Sequence, residues 1–184
     1  SVSAPQPCRI TETLSLGERI KLKTGIDMTA LGNAVHACMA TGFTDPNAIF
    51  DETRVARILD GFGLAGAIAP TELVRQIRAI ETWVTARWPD CRRHAEMPIE
   101  SILANGQILQ GRIDLLLEVP DGWVVLDYKA NPAPRDRWSE VAAEHSGQLT
   151  HYADAMERAT GRSVTETWVV LPVSGGAVRV AISK

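Results

Sequence analysis

The chain has 184 residues, of which 45% are hydrophobic, enough for one globular domain with its own core. A net charge of −3 and a pI near 5.8 exclude the broadly basic signature of a stand-alone nucleic-acid binder. They leave open an enzyme that meets phosphate with a bound metal and a local arginine patch. Cys8, Cys38 and Cys91 are odd in number and widely spaced, which excludes a disulfide framework and points to a reducing compartment. No stretch is apolar and long enough to span a membrane, and no signal-peptide pattern is present.

Residues 1–26, punctuated by Pro5, Pro7, Gly17 and Gly25, read as an irregular leading segment or linker. Residues 27–184 read as one domain, helical over 27–90 and sheet-containing over 91–184. A first helix is predicted from about Asp27–Thr29 to Thr41 on the spacing of Leu31, Val35, Cys38 and Met39, with Gly42 and Pro46 ending it. Asp51 to Asp60 reads as a second helix, and Gly61 to Pro70 as a Gly/Ala-rich connection. Thr71 is the expected cap of a third helix carrying Leu73, Ile77, Ile80 and Val84 on one face and stopped by Pro89.

The second half changes to strand patterns. Arg92–Ile99, Ile108–Val119 and Trp123–Tyr128 read as strands, the last two joined at Pro120-Asp121-Gly122 as an antiparallel hairpin. A helix capped by Ser139 or Ser146 should end at Gly161. Thr165–Leu171 and Ala177–Ile182 complete the pattern around a Ser174-Gly175-Gly176 turn. This order predicts an α/β or α+β domain with a mixed sheet.

Chemistry concentrates on the hairpin. Lys129 is one of four lysines and the one that lies away from the two ends of the chain; it follows Trp123-Val124-Val125-Leu126-Asp127-Tyr128. Strand alternation puts Asp127 and Lys129 on one side. Asp114 sits inside the apolar neighbouring strand, where an unpaired carboxylate is costly. Singly, each acid is more commonly a salt-bridge partner than a ligand. Together, two carboxylates on paired strands suit a shared divalent cation.

Gly111-Arg112-Ile113-Asp114, Asp127-Tyr128-Lys129-Ala130-Asn131, Gly147-Gln148-Leu149-Thr150-His151-Tyr152 and the helical Leu31-Gly32-Asn33-Ala34-Val35-His36 together resemble the PD-(D/E)xK nuclease superfamily. They are closest to the RecB/AddA-type domain at the C-terminus of bacterial helicase-nucleases, and the resemblance spans roughly residues 29–172. It implies a restriction-endonuclease-like mixed β-sheet flanked by helices, and metal-dependent, exonuclease-type hydrolysis of DNA in end processing, recombination and repair. His36, Asp114, Asp127 and the backbone carbonyl of Tyr128 would ligate Mg²⁺, or Mn²⁺ given the imidazole. Lys129 would orient the attacking water. Carboxylates beside an ammonium favour its charged form, so positioning and charge stabilisation fit it better than proton abstraction. Gln148 and Tyr152 would line the site, although one helical turn separates them and a plain polar stripe gives the same spacing.

Glu96, before Met97-Pro98, matches a Glu-x-Pro pattern of the family and is a candidate supporting residue; a strand-edge charge is the plainer reading. Arg135 and Arg137 in the following Pro-rich loop are candidate phosphate contacts. His94, His145 and His151 form no metal pattern of their own. Ala130 departs from the Thr or Ser frequent in the family, and no cysteine follows Cys91, so no iron–sulfur cluster is expected. Without a Walker motif, any helicase motor must lie in other sequence of the full-length chain. The implied partners are DNA, that motor and a second helicase-nuclease subunit, in the bacterial cytoplasm and away from membranes. The alternatives are a catalytically silent DNA-end-binding or scaffolding domain, which usually lacks the carboxylates or the lysine, and an unrelated two-carboxylate hydrolase.

Overall fold

A computed structural model of the chain describes residues 4–44, 50–102 and 108–182. The alternating and apolar runs become six strands: β1 (Cys8–Ser15), β2 (Arg92–Ile102), β3 (Ile108–Val119), β4 (Gly122–Tyr128), β5 (Val164–Leu171) and β6 (Gly176–Ile182). The helices are α1 (Met28–Thr44), α2 (Glu52–Gly61), α3 (Pro70–Arg87), α4 (Trp138–Glu144) and α5 (Ser146–Thr160). The strands form one sheet in the order β1-β6-β5-β4-β3-β2, with β4 and β5 parallel and every other pair antiparallel. This mixed sheet with helices on both faces is the restriction-endonuclease-like architecture expected. Among the described residues, no helix is long and apolar enough to cross a membrane.

The two faces of the sheet carry separate cores, as a doubly covered sheet requires. On one, Leu115, Leu117, Val124, Leu126 and Trp168 pack against α1, α2 and α3 through Leu31, Val35, Leu59, Ile77 and Ile80. On the other, Leu116, Val125, Val169 and Val178 pack against α4 and α5 through Trp138, Val141, Leu149 and Met156. Leu115 and Leu117 of β3 thus go to one layer and Leu116 to the other, and burial of such large side chains at roughly 1.5–3 kcal/mol each is the main force holding the sandwich.

Four expectations are corrected. The leading segment is not irregular throughout: Cys8–Ser15 is a strand paired with β6, from Cys8↔Ile182 to Ser15↔Gly176. The third helix starts one residue before Thr71, with Pro70 in its first turn and Ala69 as an N-cap that makes no side-chain bond; proline's fixed φ and missing N–H suit that place. The single helix expected before Gly161 is two, α4 and α5, meeting at His145. Neither serine caps, because the Ser146 hydroxyl instead bonds both the Gln6 N–H (2.8 Å) and the Gln6 carbonyl (2.9 Å). Gly161 does close α5 in the left-handed region, at φ 67°. The first helix runs through Gly42 to Thr44; Pro46 lies outside the described residues.

Candidate active site

The β3–β4 ladder ends at Leu115↔Leu126, and the next residue of each strand is Asp114 or Asp127. Ile113 and Leu116 both pack on the α5 side, so strict alternation slips at Asp114. Directly across on β2, Glu96 has φ 55°, the left-handed region that a non-glycine residue adopts only at a cost of about 1–3 kcal/mol. Asp114 leaves the ladder and replaces it: its Oδ2 accepts the Tyr128 N–H at 2.6 Å. Its Oδ1 lies 3.1 Å from His36 Nδ1, and His36 Nε2 lies 3.0 Å from the Tyr128 carbonyl. His36, Asp114 and the Tyr128 carbonyl, far apart in sequence, therefore meet in one contact set.

The second half of the site lies on the α5 side. Lys129 Nζ is 2.8 Å from Asp127 Oδ2 and donates to Gln148 Oε1 at 3.0 Å. Gln148 Nε2 donates to the Tyr152 hydroxyl at 2.6 Å, and that hydroxyl donates to the Arg112 carbonyl at 2.7 Å. The relay returns to β3, where Gly111 leaves room for the Tyr152 ring; a Cβ at Gly111 would stand 3.3 Å from Tyr152 Cε1. The site thus straddles the sheet, with α1 supplying His36 from one layer and α5 supplying Gln148 and Tyr152 from the other.

The electrostatics are those of a negative site short of positive charge. Asp127 is 1% exposed, and burial, reinforced by Asp114 and opposed by Lys129, pushes its carboxyl up to about 6. Its Oδ2 accepts no well-directed hydrogen bond although the ammonium is close. Burial disfavours charge on His36, but the hydrogen bond to Asp114 and the charges of Asp114 and Asp127 outweigh it, so its pKa is raised. Burial pushes the Tyr152 phenol up to about 12, which keeps it a hydrogen-bond donor at neutral pH.

An imidazole, two carboxylates and a carbonyl are a donor set that fits a small divalent cation, and the under-bonded Asp127 oxygen is the kind of group such a cation satisfies. Among the described residues, one grouping of potential ligand atoms within 4.8 Å of one another is His36, Glu96 and Asp114. It takes in Glu96 and not Asp127, which is turned toward Lys129. Glu96 Oε2 is also held at 3.0 Å by Arg112. Arg135 and Arg137 are occupied differently: Arg135 lies over the Trp138 ring at 5.9 Å, and Arg137 forms a two-pronged pair with Glu140 at 2.6 and 2.8 Å.

The fold thus carries a strand-split pair of carboxylates followed by Tyr-Lys, on a mixed sheet clamped between helices. The sequence pattern of the PD-(D/E)XK nuclease superfamily matches residues 10–183, and the chain belongs to that superfamily. Among its relatives is an ATP-dependent helicase/nuclease subunit, the one designated A, from Desulforudis audaxviator. The two are 34% identical over 126 residues, a match covering 66% of this chain and 10% of that protein. The protein of the same name from Pelotomaculum thermopropionicum is 40% identical over 72 residues, covering 39% and 6% respectively. The match therefore spans a tenth or less of these relatives' own length.

Two further residues at the site, Arg112 and Phe62, carry no role on sequence grounds. Arg112 stands two residues before Asp114 in the Gly111–Asp114 motif, so its position is a usable signal. Phe62 gives a fainter one, a lone aromatic between Gly61 and Gly63.

Proposed function

We propose that this chain is the nuclease domain of a larger bacterial helicase-nuclease, a divalent-metal-dependent deoxyribonuclease that hydrolyses phosphodiesters at DNA ends. Residues 27–184 would form the nuclease unit, with β1 adding its edge strand, and the motor would lie elsewhere in the full-length cytoplasmic protein. The observation that carries the reading is the convergence of His36, Asp114 and the Tyr128 carbonyl next to the Asp127–Lys129–Gln148 relay.

His36, Asp114, Asp127 and the Tyr128 carbonyl would hold Mg²⁺ or Mn²⁺, with Glu96 in support. Such a cation supplies Lewis-acid charge to the phosphate and an activated water. Lys129 has three N–H donors. Gln148 accepts one and Asp127 lies close by as an ion pair, which leaves donor capacity to hold the attacking water or to neutralise charge growing on the phosphate. Tyr152 and Arg112 fix the Gln148 amide so that its oxygen, not its nitrogen, faces the ammonium.

The test is cleavage of labelled linear DNA in Mg²⁺, Mn²⁺ and EDTA by the wild-type chain, Lys129→Ala and Lys129→Arg. Cleavage should need metal and fall by about 10²–10³-fold in both variants, since a planar guanidinium does not replace a compact ammonium. Mn²⁺ binding by calorimetry should persist in Lys129→Ala. Wild-type rates in Lys129→Arg would refute the positioning role.

A further inference from the structure

Phe62 is one of two exposed large hydrophobic residues among those described, at 38% exposure. Its exposure does not come from a loose chain. Phe62 caps the C-terminus of α2, with its N–H directed to the Ile58 and Leu59 carbonyls. The Gly63 N–H bonds the Asp60 carbonyl, Gly63 turns the chain at φ 70°, and the Leu64 N–H bonds the Leu59 carbonyl. Leu64 is then buried at 3% while Phe62 stays outside. This is a helix terminus locked by backbone bonds and a hydrophobic anchor, with its aromatic ring left in solvent.

The ring lines a cleft of about 530 Å³, within the ~300–1,000 Å³ of small-molecule sites. His36 and Glu96 line the same cleft, so it opens directly on the candidate metal ligands. Arg112, with 64% of its side chain exposed, adds a cation. From α1 come Ala37 and Ala40, too small to cover the ring. Met28, the other exposed hydrophobic residue, is not part of this cleft.

We infer that Phe62 stacks on an unpaired base of the strand being cut and thereby positions that strand's phosphate at the candidate site. The inference rests on the nuclease reading. Given a phosphodiester at His36 and Asp114, the group that shares the cleft is the base or sugar of a neighbouring nucleotide. A flat apolar ring in a cleft that also holds an arginine is the kind of surface on which a base stacks, whatever its identity. An unpaired base can offer a whole face to it, whereas a base inside a duplex is already stacked on both sides. Phe62 is thus a positioning residue, and it acts on strand binding before chemistry.

The test compares the wild-type chain, Phe62→Ala, Phe62→Leu and Phe62→Trp on a single-stranded oligonucleotide in Mg²⁺ or Mn²⁺, and on a set of strands each carrying one abasic position. Phe62→Ala and Phe62→Leu should raise KM by about tenfold with kcat near wild type, and Phe62→Trp should restore KM. The penalty should vanish when the abasic position is the one that meets the ring, because the base to be stacked is then already gone. Thermal melting of all four proteins should coincide. An unchanged KM in Phe62→Ala, or a penalty that persists at every abasic position, would overturn the inference and leave the nuclease reading standing. A wild-type chain that neither cuts nor binds the strand would overturn both.

Discussion

The parallel pair β4–β5 has an ionic cluster at each end, and the two are built on opposite principles. At the end where β5 begins, Arg87 bridges Glu12 (3.0 and 3.1 Å) and Glu166 (3.3 Å), and Arg179 also reaches Glu166 at 3.5 Å. The Arg87 guanidinium lies over the Trp168 ring at 4.8 Å, and the Trp168 N–H donates to Glu166. Two arginines face two glutamates, and the protein completes its own charge balance. At the other end, among the described residues, Asp114, Asp127 and Glu96 face two permanent cations, Lys129 and Arg112. Balance there needs a proton on His36 or a metal. A cluster that closes on itself serves stability; one left short of positive charge costs stability and is available for chemistry.

Asp127→Asn puts the greatest load on this contrast. It should lower cleavage by about 10³-fold or more, since the Lewis-acid charge it helps to hold is worth several kcal/mol. It should nevertheless raise the melting temperature. With its carboxyl at about 6 against an ordinary 3.8, Asp127 supports the fold fully below pH 4 and less and less as pH rises through 6. The gain in Tm should therefore be larger at pH 7 than at pH 4. Saturating Mn²⁺ should reverse the ranking, stabilising wild type by about 5–10 °C at a hundredfold excess over Kd and the variant much less. A loss of Tm in Asp127→Asn at pH 7 would contradict the account.

Arg87→Ala is the mirror experiment. It should cost about 1–2 kcal/mol, between the values for surface and buried pairs because the side chains are half-buried. Part of the loss should disappear in high salt, and kcat below the melting range should not change. A fall in kcat with Tm intact would mean that the two ends are coupled.

The smallest expected effect is at His145, in the joint between α4 and α5. Burial, with help from the Lys129 charge, holds it down at about 4 against an ordinary 6.5. Its contribution to stability is intact above pH 6.5 and is lost as pH falls toward 4. His145→Gln should flatten the acid limb of the Tm–pH curve over that window. An unaltered limb would show that the imidazole already takes up its proton in the folded chain.

The site hairpin is legible in the sequence because its signals are local. Asp114 and Asp127 interrupt apolar strands, and Lys129 follows at the alternation that puts it beside Asp127. Helix positions such as Val35, Ile77 and Ile80 are legible for the same reason. What escapes a sequence reading depends on distant partners. Cys8–Ser15 is an edge strand with a bulge between Ile10 and Glu12, so that Cys8 and Ile10 pack on one layer and Leu14 on the other and no clean alternation marks it; β6, which makes it a strand, comes more than 150 residues later. The break at His145 is invisible to periodicity because α4 and α5 line the same layer. Glu96 reads only as a supporting residue, yet it groups with His36 and Asp114, through a backbone conformation that no local propensity announces. Phe62 reads as part of a connection because its importance comes from the cleft it faces.

The pairing of Cys8 with Ile182 has a consequence for how such a unit is carried. β6 starts beside the end of β5 nearest the candidate site and runs away from it, so Cys8 and Ile182 sit side by side at the far end of the sheet. Polypeptide that joins either of them meets the domain at one corner, remote from the cleft. The candidate site and the Cys8–Ile182 pair therefore lie at opposite ends of the sheet.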